Sequence, residues 1–165
     1  MRFFTKLNSI IGDLYLVANE EVLLVIHLGE EDFLRNESLE HISYQPDHHV
    51  LIESSKQLQE YFEGSRKEFN LPLNLNGTNF QKAVWEQLCF IPFGETRSYQ
   101  DIANLIENPK AVRAIGQANK ANRYPIIIPC HRVIGKNSSL TGYAGTRVDL
   151  KEKLLKHEGV LSKSK

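Results

Sequence analysis

The sequence has few cysteines and no long apolar run. Its 165 residues include two cysteines, Cys89 and Cys130. No stretch approaches the roughly 18 consecutive apolar residues of a membrane span, and residues 1–6 lack the apolar core of a secretory signal. These absences predict a cytoplasmic protein with no membrane partner. A reducing compartment also disfavours a structural disulfide between the two cysteines.

Patterns typical of a bound ion or nucleotide are also missing. The sequence has no internal repeat, no low-complexity tract and no phosphate-binding glycine loop. Four histidines, His27, His41, His48 and His49, have no cysteine partners and no ligand-type spacing. We therefore predict no metal site and expect these histidines to be solvated or to cap helices.

Each half of the chain is poor in charge of one sign, although the whole chain is neutral. Residues 1–93 contain 7 Lys and Arg against 14 Asp and Glu, a net charge of −7, and residues 94–165 contain 13 against 6, a net charge of +7. Two explanations remain open. The opposite charges help two lobes to dock, or the basic half binds a polyanion, which blocks of one sign more often indicate.

The first half has the periodicity of a small sheet with one long helix. Apolar and alternating runs predict strands at residues 2–7, 13–18 and 22–28, arranged as a β-meander. Apolar residues near helical spacing predict a helix over residues 50–62. A short strand is expected at residues 69–73. None of these segments contains a cluster typical of a reactive site.

The second half begins a separate unit. Residues 74–77 favour a turn, and Thr78 with Gln81 three residues later forms a capping box that starts a helix. We therefore predict an N-terminal α/β supporting domain over residues 1–76 and a C-terminal domain over residues 77–165.

Two short helices across a tight turn predict a helix-turn-helix in this second domain. Ser98 is placed to cap the first helix, and Asn108 and Pro109 are placed as N-cap and first residue of the second. Arg113 is the one long cation among the small residues of the second helix. Those small residues are Ala111, Ala114, Gly116 and Ala118. Close helix packing alone explains this composition, but the basic charge and the downstream cysteine favour contact with DNA.

Cys130 has the neighbours of a nucleophile. It follows the apolar run 124–128 and directly precedes His131 and Arg132. A thiolate reacts and a thiol does not, so groups that take or stabilise the loss of the proton decide reactivity. A thiol with the ordinary pKa near 8.5 is about a few per cent thiolate at pH 7. Cys89, at an apolar helix end, is expected to be an inert buried thiol.

Six short segments stand in a characteristic order in the second half. They are SYQDIA (98–103), NPKAVRAIG (108–116), Asn122, PCHRVIG (129–135), TGYAG (141–145) and LLKHEG (154–159). In this order the chain resembles the methylated-DNA-protein-cysteine methyltransferases, also called O6-alkylguanine-DNA alkyltransferases. The cysteine motif alone is weak, but the ordered set is highly specific. The acidic half matches only in length and expected sheet content.

The resemblance implies an α+β fold. A small N-terminal β-sheet domain of ribonuclease-H-like type would pack on a mostly helical, winged-helix-like C-terminal domain that contains the helix-turn-helix. It also implies a monomeric DNA repair protein without a cofactor. The protein would move the alkyl group of O6-alkylguanine, and of O4-alkylthymine, in double-stranded DNA onto its own cysteine, once per molecule.

The resemblance also assigns the catalytic roles. Cys130 would be the acceptor, and His131 would activate it through a water molecule. Glu158 would orient and polarise the imidazole of His131. Tyr99 would donate a hydrogen bond to the guanine ring, so that guanine leaves as a neutral base, and would crowd the neighbouring phosphate.

Roles at the DNA follow from the same resemblance. Arg113 would fill the gap left when the damaged nucleotide is flipped out of the stack. Small residues on its helix would permit close approach in the minor groove: Ala111, Ala114, Gly116 and Ala118. Asn122 would hold the turn before the cysteine segment. Val133, Tyr143 and Ala144 would complete the base pocket and hinge.

Several positions depart from the family pattern. Arg123 and Tyr124 follow Asn122 where proline is frequent, which alters the hinge. Ala144 replaces a serine of some relatives, which widens the pocket for larger alkyl groups. The N-terminal half lacks the cysteines with which some members bind zinc. Cys130 is present, whereas relatives that only bind lesions replace it.

Two functions of other classes remain as alternatives. A DNA-binding regulator or lesion sensor would contain Cys130 as an incidental or redox-active residue. A cysteine hydrolase built on Cys130 and His131 is disfavoured, because no oxyanion-hole motif accompanies them.

Overall fold

Two compact units make up the chain, Met1–Asn74 and Leu75–Lys165. The computed structural model describes residues 1–135 and 148–160. The first unit contains a β-sheet and the second is mostly helical, so the predicted mixed α+β fold is confirmed. Within the described ranges, no helix is both long enough and apolar enough to cross a membrane.

A four-stranded sheet forms the centre of the first unit, with strand order β3-β2-β1-β4. Its strands are β1 (Arg2–Ser9), β2 (Gly12–Ala18), β3 (Leu23–Leu28) and β4 (Ile42–Tyr44). The first three strands are antiparallel neighbours, which confirms the predicted meander, and β4 lies parallel to β1. The sheet is buried most deeply along β2, where five consecutive residues from Leu14 to Ala18 are shielded from solvent.

Two α-helices and a one-turn 3-10 helix, Leu39–His41, accompany this sheet. Helix α1 (Glu30–Asn36) lies between the predicted third strand and the predicted long helix, where no helix was expected. Helix α2 (His49–Glu63) confirms the predicted long helix and buries Leu51, Leu58 and Tyr61. It ends at Gly64, whose φ of 90° is the left-handed conformation that glycine adopts at helix ends.

The strand predicted at residues 69–73 is wrong. In that segment Leu73 makes an isolated parallel bridge with Leu23, and the amide of Leu23 donates to the carbonyl of Pro72 at 2.8 Å. Proline has no N–H to give to a ladder, so pairing does not extend through Pro72.

The second unit contains four α-helices, a one-turn 3-10 helix and a two-stranded parallel sheet within its described residues. The helices are α3 (Asn79–Cys89), α4 (Tyr99–Leu105), α5 (Val112–Lys120) and α6 (Val148–His157). The strands are β5 (Arg97–Ser98) and β6 (Val133–Ile134). Two of the three predicted N-terminal caps are confirmed, since Thr78 with Gln81 and Ser98 with Asp101 form complete capping boxes.

The start of α5 differs from its prediction by three residues. Asn108 and Pro109 were expected to open this helix, but it begins at Val112 with Ala111 as N-cap and no side-chain cap. The amide of Asn108 instead closes α4 on the carbonyl of Ala103 at 2.9 Å, and its carbonyl accepts from Ala111 in a turn. Asn108 therefore belongs to the connection between the two helices.

Candidate active site

Cys130 lies at the start of a one-turn 3-10 helix, Cys130–Arg132. The apolar run that precedes it is buried at Tyr124, Ile126 and Ile128. Ile126 has a φ of 77°, a conformation that is costly for a β-branched residue. Cys130 is 5% exposed and therefore lies buried at the end of a packed and locally strained segment.

Asn122 fixes the position of the thiol through three hydrogen bonds. Its Nδ2 donates to Cys130 Sγ at 3.2 Å and to the carbonyl of Ile128 at 2.9 Å. Its Oδ1 accepts from the amide of Tyr124 at 2.9 Å. Because the side-chain oxygen holds the amide orientation, a donor faces the sulfur, which is what a thiolate requires.

Asn119 ties helix α5 to the same cysteine. Its Nδ2 donates to the carbonyl of Cys130 at 3.4 Å, and the residue is 8% exposed. The carbonyl of Ala118, the residue before Asn119, accepts a buried hydrogen bond from Trp85 Nε1 at 2.9 Å. The last turn of α5 is therefore attached both to α3 and to the cysteine segment.

Glu158 joins the two residues that follow Cys130. His131 Nε2 lies 2.7 Å from Glu158 Oε2, and both side chains are fully buried. Arg132 donates from Nε to Oε1 and from a terminal nitrogen to Oε2, both at 2.9 Å. The amide of Gly94 donates to Oε1 at 3.2 Å. Glu158 thus sits where four donors meet, and it follows directly on α6.

Burial and charge shift the ionisation of these groups. Burial raises the pKa of the Cys130 thiol to about 11, although the Asn122 hydrogen bond and the Lys151 ammonium oppose the shift. Burial, with Arg132 and Lys151, lowers the pKa of His131 against the opposing effect of Glu158. Burial alone would raise the pKa of Glu158, but contacts with His131 and Arg132 hold it well below the usual range.

These shifts correct one expectation from the sequence. Cys130 was expected to be about a few per cent thiolate at pH 7, but its raised pKa keeps the thiol protonated. A nucleophilic role for Cys130 would therefore require the thiol to lose its proton in the course of the reaction. His131 is neutral at pH 7, which is the state that accepts a proton, and Glu158 is ionised.

Lys151 is a charged residue of the site that the sequence analysis missed. It is 0% exposed in α6, and its Nζ lies 5.9 Å from the centre of the Tyr99 ring. Burial lowers the pKa of its ammonium to about 8, and the electrostatic interaction with Cys130 opposes this shift. The available signal was its position on the apolar face of the helix, three and four residues before Leu154 and Leu155.

Tyr99 reaches the site through the small parallel sheet. Strand β5 pairs with β6 so that Arg97 faces Val133 and Ser98 faces Ile134. Tyr99 follows β5 as the first residue of α4 and is partly buried. Val133, predicted for the base pocket and hinge, is fully buried directly after the 3-10 turn.

The residues proposed for DNA contact divide between two faces of α5. Arg113 and Ala114 are exposed, and Ala111 and Gly116 are partly exposed. A Cβ placed on Gly116 would meet nothing within 4 Å, so packing within the described chain does not require glycine there. Ala118 is 2% exposed and belongs to the core.

Three other residues named by the sequence analysis have different outcomes. Tyr143 and Ala144 lie outside the described residues. The expectation of a buried thiol at Cys89 is wrong, because the residue is exposed at the last position of α3. Neither Cys89 nor Cys130 is in a disulfide.

Residues 1–135 and 148–160 contain no group of three or more His, Cys, Asp or Glu side chains that could hold a metal ion. The histidines of the first unit have other partners. His48 accepts from the amide of Val50 as the N-cap of α2, and His27 Nε2 lies 2.7 Å from Glu37.

Comparison with known families matches both units. Residues 3–75 match the ribonuclease-like domain of 6-O-methylguanine DNA methyltransferase, and residues 79–160 match the DNA-binding domain of the same family. The chain belongs to this family.

Relatives of the whole chain carry the same name. The chain is 46% identical over 166 residues to the constitutive methylated-DNA–protein-cysteine methyltransferase of Bacillus subtilis, with full coverage of both chains. It is 44% identical to the corresponding methyltransferase of Methanosarcina acetivorans, covering 95% of this chain and 98% of the relative. The resemblance stated from the motifs is thereby confirmed.

Solved structures of this family share the fold. The Mycobacterium tuberculosis O6-methylguanine methyltransferase superposes with a TM-score of 0.82 at 40% identity, covering 96% of this chain and 93% of that chain. A structure of the M. tuberculosis protein in complex with DNA gives a TM-score of 0.83 at 41% identity, covering 94% and 92%.

Proposed function

We propose that this protein repairs alkylated DNA by moving the alkyl group from O6 of guanine to Sγ of Cys130, once per molecule. The observation that carries the proposal is the buried Cys130 thiol, held by Asn122 at 3.2 Å and followed directly by the His131–Glu158 pair. A methyl carbon is a soft electrophile that suits a sulfur nucleophile. Because the thiol is already held in position, little entropy is lost when the two atoms approach.

Proton and group transfer balance within these residues. The Cys130 proton passes through a water molecule to neutral His131, and Glu158 stabilises the imidazolium that forms. The thiolate attacks the alkyl carbon, a C–S bond forms, and the C–O bond breaks with its electron pair on the guanine oxygen. Tyr99 passes its phenolic proton to the guanine ring, so the base leaves neutral, and the tyrosinate regains a proton through solvent as the His131 imidazolium releases one. Lys151 stabilises the thiolate by its charge.

The reaction ends after one transfer, because the product is a thioether on Cys130. No group in the mechanism can cleave a C–S bond, so the protein acts as a stoichiometric reagent. O4-alkylthymine presents the same alkyl–oxygen bond and is the second substrate of the proposal.

DNA contacts are assigned to α5. Arg113 is exposed and long enough to occupy the place of a flipped nucleotide. The open space around Gly116 and the small side chain of Ala114 suit the shallow minor groove. The +7 charge of residues 94–165 supplies attraction for phosphates, so affinity falls as salt is added. The protein acts as a monomer in the cytoplasm, where both cysteines stay reduced.

The test is direct detection of the product. The protein is incubated with duplex DNA containing O6-methylguanine, and its intact mass and the Cys130 peptide are measured. One methyl group is expected on Cys130 and none on Cys89. Cys130→Ser should bind the duplex but gain no mass.

Cys89→Ser is the matched control, because Cys89 is the exposed cysteine, and it should react like the parent protein. An unmodified Cys130 peptide in the parent protein would falsify the proposal. A parallel duplex containing O4-methylthymine tests the second substrate separately.

A further inference from the structure

Arg132 has a place in the site that the mechanism above does not use. The guanidinium of Arg132 donates to both carboxylate oxygens of Glu158. Its Nε donates to Oε1 and one terminal nitrogen donates to Oε2, each at 2.9 Å. This is the bidentate fork of a strong arginine–carboxylate pair. The Arg132 side chain is 6% exposed and that of Glu158 is 0% exposed, so water screens little of their attraction.

The guanidinium is itself held in place by the loop after α3. Its remaining terminal nitrogen donates to the carbonyl of Ile91 at 2.7 Å, and its central carbon lies 5.8 Å from the centre of the Phe93 ring. The carboxylate is fixed from the same loop by the amide of Gly94. Arg132 therefore has no freedom to leave Glu158 while the unit is folded.

This pairing decides which group balances the charge of Glu158. A buried carboxylate whose partner is an imidazole draws a proton onto that imidazole, because an isolated buried charge is costly. Here Arg132 already supplies the positive charge. His131 can remain neutral, donating from Nε2–H to Oε2, and its lone pair then lies on Nδ1.

The charges that face His131 act on its pKa in opposite directions. Glu158 favours the imidazolium, whereas Arg132 and Lys151 oppose it, as does burial. Cys130 is a neutral thiol at pH 7. Arg132 lowers the pKa of His131 in two ways: it balances the negative charge of Glu158, and its own positive charge disfavours the imidazolium.

We propose that Arg132 is a positioning residue that keeps His131 neutral, and so able to accept the Cys130 proton, by neutralising Glu158 and fixing its orientation. This role rests on the proposed alkyl transfer for its purpose. The protonation state of His131, however, can be measured without any transfer.

The experiment compares Arg132→Met and Arg132→Lys with the parent protein. The imidazole of His131 is titrated by NMR on histidine-labelled protein, and the single-turnover rate with O6-methylguanine duplex is measured across acidic pH. In Arg132→Met the titration midpoint and the acidic fall in rate should both move upward by about 1 pH unit or more. Arg132→Lys keeps the charge without the fork and should shift less.

Two further variants complete the test. Arg2→Met removes the arginine from a similar arrangement at Glu37 in the other unit, and should change neither the His131 titration nor the rate. Arg132→Met combined with Glu158→Gln removes both buried charges, so it should fold even where the single variant does not. In this double variant His131 should titrate at or below the pH of the parent protein.

The outcomes separate the two proposals. If His131 titrates at the parental pH in folded Arg132→Met, or if the double variant titrates as high as Arg132→Met, the role of Arg132 is overturned. If the parent protein gains no methyl group on Cys130, the proposed function fails, while the titration still decides the role of Arg132.

Discussion

The two units contain almost the same arrangement of arginine, glutamate and histidine. In the first, Arg2 donates to both oxygens of Glu37 at 3.1 and 2.7 Å, and His27 Nε2 lies 2.7 Å from Oε2. In the second, Arg132 donates to both oxygens of Glu158 at 2.9 Å, and His131 Nε2 lies 2.7 Å from Oε2. The hydrogen-bond pattern alone therefore does not identify a reactive site.

What differs is the surroundings. The Arg2 side chain is 41% exposed and joins strand β1 to Glu37, the C-cap of α1. Arg132 is 6% exposed, and its cluster adjoins a cysteine and a buried lysine. In the first cluster only the arginine is exposed to water, and we interpret the cluster as a structural clamp. In the second the arginine is buried and a thiol adjoins the group, which favours the proposed role in proton transfer.

The largest difference is expected from removing the two carboxylates. Glu158→Gln leaves the Arg132 charge buried without a counter-charge, so the free energy of unfolding should fall by about 3–5 kcal/mol. Alkyl transfer should be lost with it. Glu37→Gln should cost less, about 1 kcal/mol, because the Arg2 side chain is 41% exposed and water can solvate its charge once the carboxylate is removed. It should leave transfer intact.

Urea unfolding and a single-turnover methyl-transfer assay measure both effects. Equal losses of stability in the two variants would show that exposure does not distinguish the clusters. Loss of transfer in Glu37→Gln would show that the first unit takes part in the chemistry.

Lys151 provides a second contrast between the clusters, with a smaller expected effect. Its proposed role is to stabilise the Cys130 thiolate by its charge. Lys151→Met keeps the volume of the side chain and removes the ammonium that lowers the pKa of Cys130. The transfer rate at pH 7 should fall on the order of tenfold, the equivalent of one pKa unit. The free energy of unfolding should not fall, because a buried charge is replaced by apolar atoms.

The matched control is Lys153→Met, which removes an exposed lysine from the same helix. It should leave both the rate and the unfolding curve unchanged. A Lys151→Met protein that is less stable but equally fast would assign Lys151 to the fold and not to the thiol.

The sequence predicted much of this arrangement where local signals are strong. The meander followed from alternation along β1 and β2, and the starts of α3 and α4 followed from capping boxes at Thr78 and Ser98. The motif order indicated the family. The start of α5 was wrong because Asn108 and Pro109 are good capping residues that a turn also uses.

The electrostatics of the site required the structure. The helical spacing places Lys151 on the apolar face of α6, but it does not show that the ammonium is buried beside a thiol. Arg132 is next to His131 in sequence, but its fork on Glu158 spans 26 residues and depends on how α6 packs against the 3-10 turn. Cys89 was misjudged because apolar neighbours in sequence do not show which side of a helix end faces water.

The smallest expected effect is a pH dependence of stability that the second unit adds. Lys151 has a pKa of about 8 in the folded protein against 10.5 when unfolded, so the unfolded chain binds more protons between these values. Stability therefore rises with pH in that window. Cys130, with about 11 folded against 9.0 unfolded, acts in the opposite direction, mainly above pH 9.

Between pH 8 and pH 9 the lysine effect should dominate, giving a net rise of about 0.5 kcal/mol in the free energy of unfolding. In Lys151→Met only the cysteine effect remains, so the slope should change sign and stability should fall slightly over the same interval. Urea unfolding at closely spaced pH values measures both slopes, and Lys153→Met should retain the parental rise. If Lys151→Met showed the same slope of unfolding free energy against pH as the parent protein, the Lys151 ammonium would not be buried in the folded parent protein. The electrostatic contrast between the two clusters would then rest on Arg132 alone.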